Sequence, residues 1–251
     1  MTLSQNNHSI AVISDVHSNA YALEAVLHDI DSRGIETIVN LGDTLFGPLD
    51  PIKTAELLME RAEIIHIMGN CDRYLLGEQM ESITFQYVKP LLTQEMLSWI
   101  GSFQKQWTQD DLLFCHGTPF ADDVYLLENV APYGIEDKSA NALMIELTGI
   151  QQKVIFCGHS HVPKSVWLPD GKLVVNPGSV GLPAYFEETP YPHSMESKTP
   201  HAKYVTVKKQ GGSWLVEHVL VPYDFEQAAR KAEENGRRDY AYAIRTGRAE
   251  L

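Results

Sequence analysis

Seven residues of metal-binding type recur in this chain: Asp15, His17, Asp43, Asn70, His116, His159 and His161. Each follows a short apolar run. Asp15-Val16-His17 comes after 10–13, Gly42-Asp43 after 37–41, and Gly69-Asn70-Cys71-Asp72 after 63–68. His116-Gly117 comes after 112–115, and Gly158-His159-Ser160-His161 after 153–157. In an extended segment, a spacing of two sends both side chains to one side, so Asp15 with His17 and His159 with His161 could each reach one site. The adjoining glycines suit sharp turns and close backbone approach. Asp, Asn and His together form a borderline-hard donor set, which suits Mn²⁺, Fe or Zn²⁺ better than a thiolate set would. Taken singly, each residue has a structural explanation: a capping carboxylate, a Gly-Asp turn, a left-handed Asn, a satisfied buried histidine. The ordered set of seven points instead to a shared site.

Elements able to position that set are legible in the pattern. Residues 10–13 form an apolar run bounded by polar residues, which predicts a buried strand. Ala22, Leu23, Val26, Leu27 and Ile30 then recur at helical spacing, with Ser18 or Asn19 as N-cap and Gly34 as stop. Strand-like 37–41, a helix near 52–61 and strand-like 63–68 repeat the unit. Alternating strands and helices predict a mainly parallel sheet, and ligands bind at the carboxyl ends of such strands. Residues 72–107 read as helical, with Leu91, Leu92, Met96, Leu97 and Ile100 as the apolar stripe and Pro90 in a first turn. Strands at 112–115 and 153–157 enclose an excursion whose clearest helix lies near 138–147.

The character shifts at Ser165. Short β-branched or aromatic runs at 165–168, 173–176, 204–207 and 214–220, with turns at Asp170-Gly171 and Gly211-Gly212, predict antiparallel sheet. A last helix is expected from 224 to about 235, with a charged tail after it. Residues 182–203 carry Pro183, Pro190, Pro192 and Pro200 among several aromatics and read as a long irregular loop. That segment and 72–107 are candidate lids over a single domain spanning 1–251.

At 251 residues, with 44% hydrophobic and 21% charged, the composition is that of a globular chain with a sizeable core. Thirty-three acidic against 20 basic residues give a net charge of −13 without a dense basic cluster. This argues against a partner that is duplex nucleic acid or an anionic membrane surface. Three dispersed cysteines do not make a disulfide framework, and the start of the chain lacks a basic n-region and signal-type apolar run. A cytoplasmic location is expected. Nothing in the pattern specifies an oligomeric state.

The ordered blocks Asp15-x-His17, Gly42-Asp43, Gly69-Asn70, His116 and Gly158-His159-x-His161 resemble those of the calcineurin-like metallophosphoesterases. Asn176-Pro-Gly-Ser179 and the stretch from Val221 to Asp224 extend the likeness over most of the chain, toward the bacterial branch of diadenosine tetraphosphatase-like and phosphodiesterase-like proteins. The resemblance implies an α/β fold, a four-layer αββα sandwich with two mixed sheets, holding two divalent metal ions, Mn²⁺ foremost with Fe or Zn²⁺ as alternatives. It implies that Asp15, His17 and His161 bind one ion, that Asn70, His116 and His159 bind the other, and that Asp43 bridges them. Two such ions, about 3.5–4 Å apart, acidify a bridging water to hydroxide and clamp a phosphoryl group.

The expected activity is hydrolysis of phosphodiester or phosphoanhydride bonds in small nucleotide-type substrates, with Tyr74, Tyr185, Phe186 and Tyr191 as candidates to stack on a base. Phosphomonoester or phosphoprotein hydrolysis is the alternative, and a non-catalytic scaffold of the same fold a further one. Asn70, Cys71, Asp72 and His116 are the candidate catalytic residues; Asn70, Arg73 and His116 the candidate substrate contacts. Many relatives carry histidine where this chain has Cys71, and a thiol is a poorer proton donor than imidazolium. The exchange favours better leaving groups.

Overall fold

Strand β1 (Ser9–Ile13) sets the plan, because its side chains leave in two directions. Ile10 and Val12 join one apolar cluster, while Ala11 and Ile13 join another. That is the alternation of a strand covered on both faces. The structure, a computed structural model, describes residues 9–250. The N-terminal stretch read above for a targeting signal lies largely outside the described residues, as does Leu251.

After β1 come α1 (Ala20–Ser32), β2 (Thr37–Asn40), α2 (Pro51–Met59) and β3 (Ile64–His66). A helical stretch follows: α3 (Asn70–Leu76), α4 (Ile83–Val88), a 3₁₀ turn at Lys89–Leu91, and α5 (Gln94–Ile100). Strands β4 (Gln106–Gln109) and β5 (Leu112–Cys115) form one hairpin, and β6 (Glu128–Ala131) and β7 (Gly134–Asp137) another. Next are α6 (Ala140–Glu146), β8 (Val154–Phe156), β9 (Lys164–Trp167) and β10 (Leu173–Asn176). The chain closes with β11 (Ala184–Glu187), β12 (His193–Glu196), β13 (Ala202–Gln210), β14 (Ser213–Val221), α7 (Phe225–Glu234) and α8 (Arg238–Thr246).

One five-stranded sheet runs β14-β13-β1-β2-β3 and the other β4-β5-β8-β10-β9. Parallel β1, β2 and β3 make one side of the first sheet, out to its β3 edge, with antiparallel β13 and β14 on the other; in the second, parallel β5, β8 and β10 lie between antiparallel β4 and β9. Val12, Val39 and Leu41 meet Phe114, Phe156 and Val175 between the sheets. The rings of Phe114 and Phe156 stack at 5.0 Å, and burying each such side chain stabilises the fold by about 1.5–3 kcal/mol. Helix α1 covers the outer face of the first sheet with Leu23, Val26, Leu27 and Ile30. Leu143 of α6 covers that of the second. This is the four-layer αββα sandwich that the resemblance implied.

Local signals set the ends of α1: the Asn19 side chain accepts from the Ala22 amide, and Gly34 follows with φ +66°. Three expectations change. The strands after Ser165 do not make a separate antiparallel sheet, since β10 lies parallel to β8 and β13 joins β1. Their shared alternation says nothing about which neighbour each pairs with. Residues 182–203 are not wholly irregular, because β11 and β12 pair as a hairpin. The charged tail contains α8, whose buried Ala241, Ala243 and Ile244 pack between α7 and β11.

Candidate metal centre

The loops after β1, β2 and β8 are wound left-handed where the ligand-type residues stand. Asp15, His17, Asp43, His159 and His161 have φ of 55°, 46°, 54°, 67° and 59°. The extended backbone expected for the two spaced pairs is therefore not what aims them. Left-handed residues curl each loop around its own side chains, at about 1–3 kcal/mol of strain per residue. Backbone bonds hold the curl: the Asp15 amide donates to Gly42 and the His17 amide to Asp43, each at 3.0 Å. A Cβ on Gly69 would stand 2.2 Å from Asp43 Oδ1, so this loop approach needs a residue without a side chain.

All seven residues named from the sequence come together. Ligand atoms of Asp15, His17 and His161 lie within 4.8 Å of one another, as do those of Asp43, His116 and His159. Asn70 Oδ1 sits 3.0 Å from His116 Nε2. Asp43 faces both groups, with Oδ2 3.7 Å from His17 Nε2 and Oδ1 3.4 Å from His116 Nε2.

Three imidazoles are oriented from behind. Nδ1 of His17 meets the Phe46 carbonyl at 2.6 Å, that of His161 the Leu182 carbonyl at 2.6 Å, and that of His116 the Leu41 carbonyl at 2.9 Å. A carbonyl only accepts, so each Nδ1 holds a proton and Nε2 is the atom each ring turns inward, with a lone pair there when the ring is neutral. Asp15 Oδ1 is buried without a hydrogen-bond donor among the described residues.

The protonation energetics agree with a place for cations. Burial works against ionisation of Asp43, yet His116 and His17 outweigh it and hold the carboxyl well below the usual range. Burial would also lower His116, but Asp43 and Asp15 push it up to about 10. Burial, reinforced by His116, takes His159 down to about 4. The buried carboxylates thus draw a proton onto His116, a demand for positive charge that a bound cation would meet. The donor set fits two divalent ions: Asp15, His17 and His161 could hold one, Asn70, His116 and His159 the other, with Asp43 between.

Asp72, read from the sequence as catalytic, stands behind this cluster. Its carboxylate accepts the amides of Asp43 at 2.8 Å, Thr44 at 2.9 Å and Gly69 at 3.1 Å, so it fixes the loops that carry Asp43 and Asn70. Burial and then Asp43 raise it to about 7. Cys71 does face the site, close to His17 and Asp43, and its amide donates to Asp43 Oδ1 at 2.9 Å. Burial and the Asp43 charge keep the thiol protonated. Arg73, the expected phosphate contact, is exposed and does not line the cleft. Its Nε and Nη2 each donate to Asp122 at 2.7 Å, which occupies the guanidinium fork.

A cleft of about 930 Å³ opens from the centre. Two tyrosines that the motifs do not mark form its inner wall. The Tyr125 ring lies 4.7 Å from that of His159 and the Tyr185 ring 4.6 Å from that of His161. Their hydroxyls are 2.6 Å apart; Tyr185 donates to the His159 carbonyl at 2.9 Å, and Tyr125 meets His193 Nε2 at 3.1 Å. Lys138 and Arg237 also line the cleft. Tyr185 was legible only as one of four aromatics that could stack on a base, and Tyr125 carried no signal.

Fold and site together define a phosphoesterase of the metal-using kind. Residues 9–196 match the calcineurin-like phosphoesterase superfamily domain, and the chain belongs to that family. It is 28% identical to the uncharacterized protein MJ0912 of Methanocaldococcus jannaschii, over 90% of this chain and 92% of that one. The fold is similar to a metallophosphoesterase from Sphaerobacter thermophilus, with TM-score 0.76 and 23% identity, covering 96% of this chain and all of that one. It is also similar to the hypothetical protein PH1004 of Pyrococcus horikoshii, with TM-score 0.71 and 17% identity, over 95% and 98% of the two chains. Among the described residues, no helix is long and apolar enough to cross a membrane.

Proposed function

We propose that this protein uses two divalent ions, Mn²⁺ ahead of Fe or Zn²⁺, to hydrolyse phosphodiester or phosphoanhydride bonds in small nucleotide-type substrates. The observation that carries the reading is Asp43, whose two oxygens face separate groups of inward ligand atoms. When bound, such a pair of ions supplies Lewis acidity and an activated water. The chain's own groups do the positioning. Three backbone carbonyls fix the imidazole tautomers, Asp72 holds the Asp43 loop, and Tyr125 and Tyr185 close one side of the site. Cys71 stands beside Asp43, at the motif position that a histidine fills in many relatives. Its high proton affinity makes it a weak acid there, which favours leaving groups that depart without one.

The test is to strip the protein with chelator, restore Mn²⁺, and compare an aryl phosphodiester, an aryl phosphomonoester and a dinucleoside polyphosphate. Metal-dependent turnover of the diester or polyphosphate above the monoester is the expected result. A monoester preference would assign the site to phosphomonoesters. No metal-dependent turnover of any would overturn the reading.

A further inference from the structure

Beyond the metal-binding end, the cleft presents two cationic side chains, Lys138 and Arg237, and both are already engaged. Lys138 Nζ donates to Glu146 at 2.7 Å and to the Tyr125 carbonyl at 2.9 Å. Arg237 grips Asp239 through Nε at 2.9 Å and Nη2 at 2.6 Å, and donates to the Thr84 hydroxyl. The same walls carry the carboxylates of Asp123, Glu128, Glu187, Asp239 and Glu250. Asp123, Glu128 and Asp239 have cationic partners in Arg73, Lys164 and Arg237. Glu187 has none among the described residues; its Oε1 takes only the Glu188 amide and the Thr189 amide and hydroxyl. Glu250 forms no ion pair among them either. The distal cleft therefore carries uncompensated negative charge and offers no free cation.

The apolar part of the wall includes aromatic rings, those of Tyr74, Phe186 and Tyr240 as well as Tyr125 and Tyr185. Such faces take flat organic groups by stacking. Tyr240 and Arg237 belong to the C-terminal helix pair, so that part of the wall lies outside the matched family segment 9–196.

We propose that the cleft selects a phosphodiester with a single phosphoryl group at the metal-binding end, joined to uncharged, flat organic groups lying against the tyrosines, and that it rejects polyphosphates. The proposal rests on the phosphoesterase reading above and narrows its substrate class. Bound ions neutralise the scissile phosphoryl group only; further phosphates along the cleft meet Glu187 and its neighbours. Repulsion between like charges is greatest at low salt, where the screening length is about 30 Å at 0.01 M, and least at 1 M, where it is about 3 Å.

With the Mn²⁺-loaded full chain, kcat/KM for bis(p-nitrophenyl) phosphate should exceed that for a dinucleoside tetraphosphate by about tenfold or more at low salt. The ratio should shrink severalfold at high salt, and also in E187K at low salt. Calorimetric binding at a buffered free Mn²⁺ concentration should give the same order without turnover, with phenylphosphonate tighter than tripolyphosphate. Equal or better use and binding of the polyphosphates, insensitive to salt and to E187K, would overturn the proposal. Loss of metal-dependent turnover on both substrates would overturn the phosphoesterase reading instead.

Discussion

His17 Nε2 lies 3.2 Å from His161 Nε2, and both rings give their Nδ1 proton to a backbone carbonyl. Two lone pairs therefore face each other in a buried place, an arrangement that is unfavourable without a cation. Saturating metal should stabilise the protein accordingly. At 100-fold excess over Kd, one site contributes about 2.7 kcal/mol, or roughly 5–10 °C in Tm for a chain of this size. Scanning calorimetry with Mn²⁺ and then with chelator checks this, and identical transitions would contradict it.

Tyr185 supports both histidine pairs without being a ligand, through its contact with the His161 ring and its bond to the His159 carbonyl. Outer contacts of this kind are worth about 10–100-fold in metal affinity. Tyr185→Phe keeps the ring and loses the hydroxyl. Metal titration should show weakening of about tenfold with little change in Tm, whereas an unaltered affinity would remove Tyr185 from the site.

Cys71→His places a stronger proton donor where the thiol now stands beside Asp43. Activity should persist while the dependence of kcat on leaving-group pKa becomes shallower across a series of aryl esters. The same slope in both proteins would mean that position 71 does not assist departure.

His66 gives a pH dependence separate from the metal site. Its ring stacks on Phe103 at 4.7 Å, and burial lowers its pKa from 6.5 to about 4. Between those values the unfolded chain binds the extra proton, so stability rises with pH across the window and is lost as pH falls toward 4. The loss is about 3 kcal/mol at its limit. His66→Phe should flatten the acid limb of urea-derived stability between pH 4 and about 6.5; an unchanged limb would place the titration elsewhere.

Much of this was legible because its signals are local. The 10–13 run, the Asn19 cap and the Gly34 stop each depend on a few neighbouring residues, and the structure follows them. The seven ligand-type residues stood out because each follows a strand. Contacts across the chain were not legible. Tyr125 and Tyr185 meet over 60 positions, and β10 finds β8 rather than a C-terminal partner. Asp72 misled for a related reason. Beside Asn70 in sequence, it looks like part of the site, but at the third position of α3 its carboxylate caps the Gly69 amide and reaches back to the Asp43 loop.

The central claim is that two ions share Asp43. Metal stoichiometry, measured by mass spectrometry on Mn²⁺-reconstituted protein and on Asp43→Asn, tests it most directly. The account predicts two ions per chain in the first, and loss of at least one in the variant with its circular dichroism unchanged. A single ion in the unaltered protein, or two retained in the variant, would contradict it.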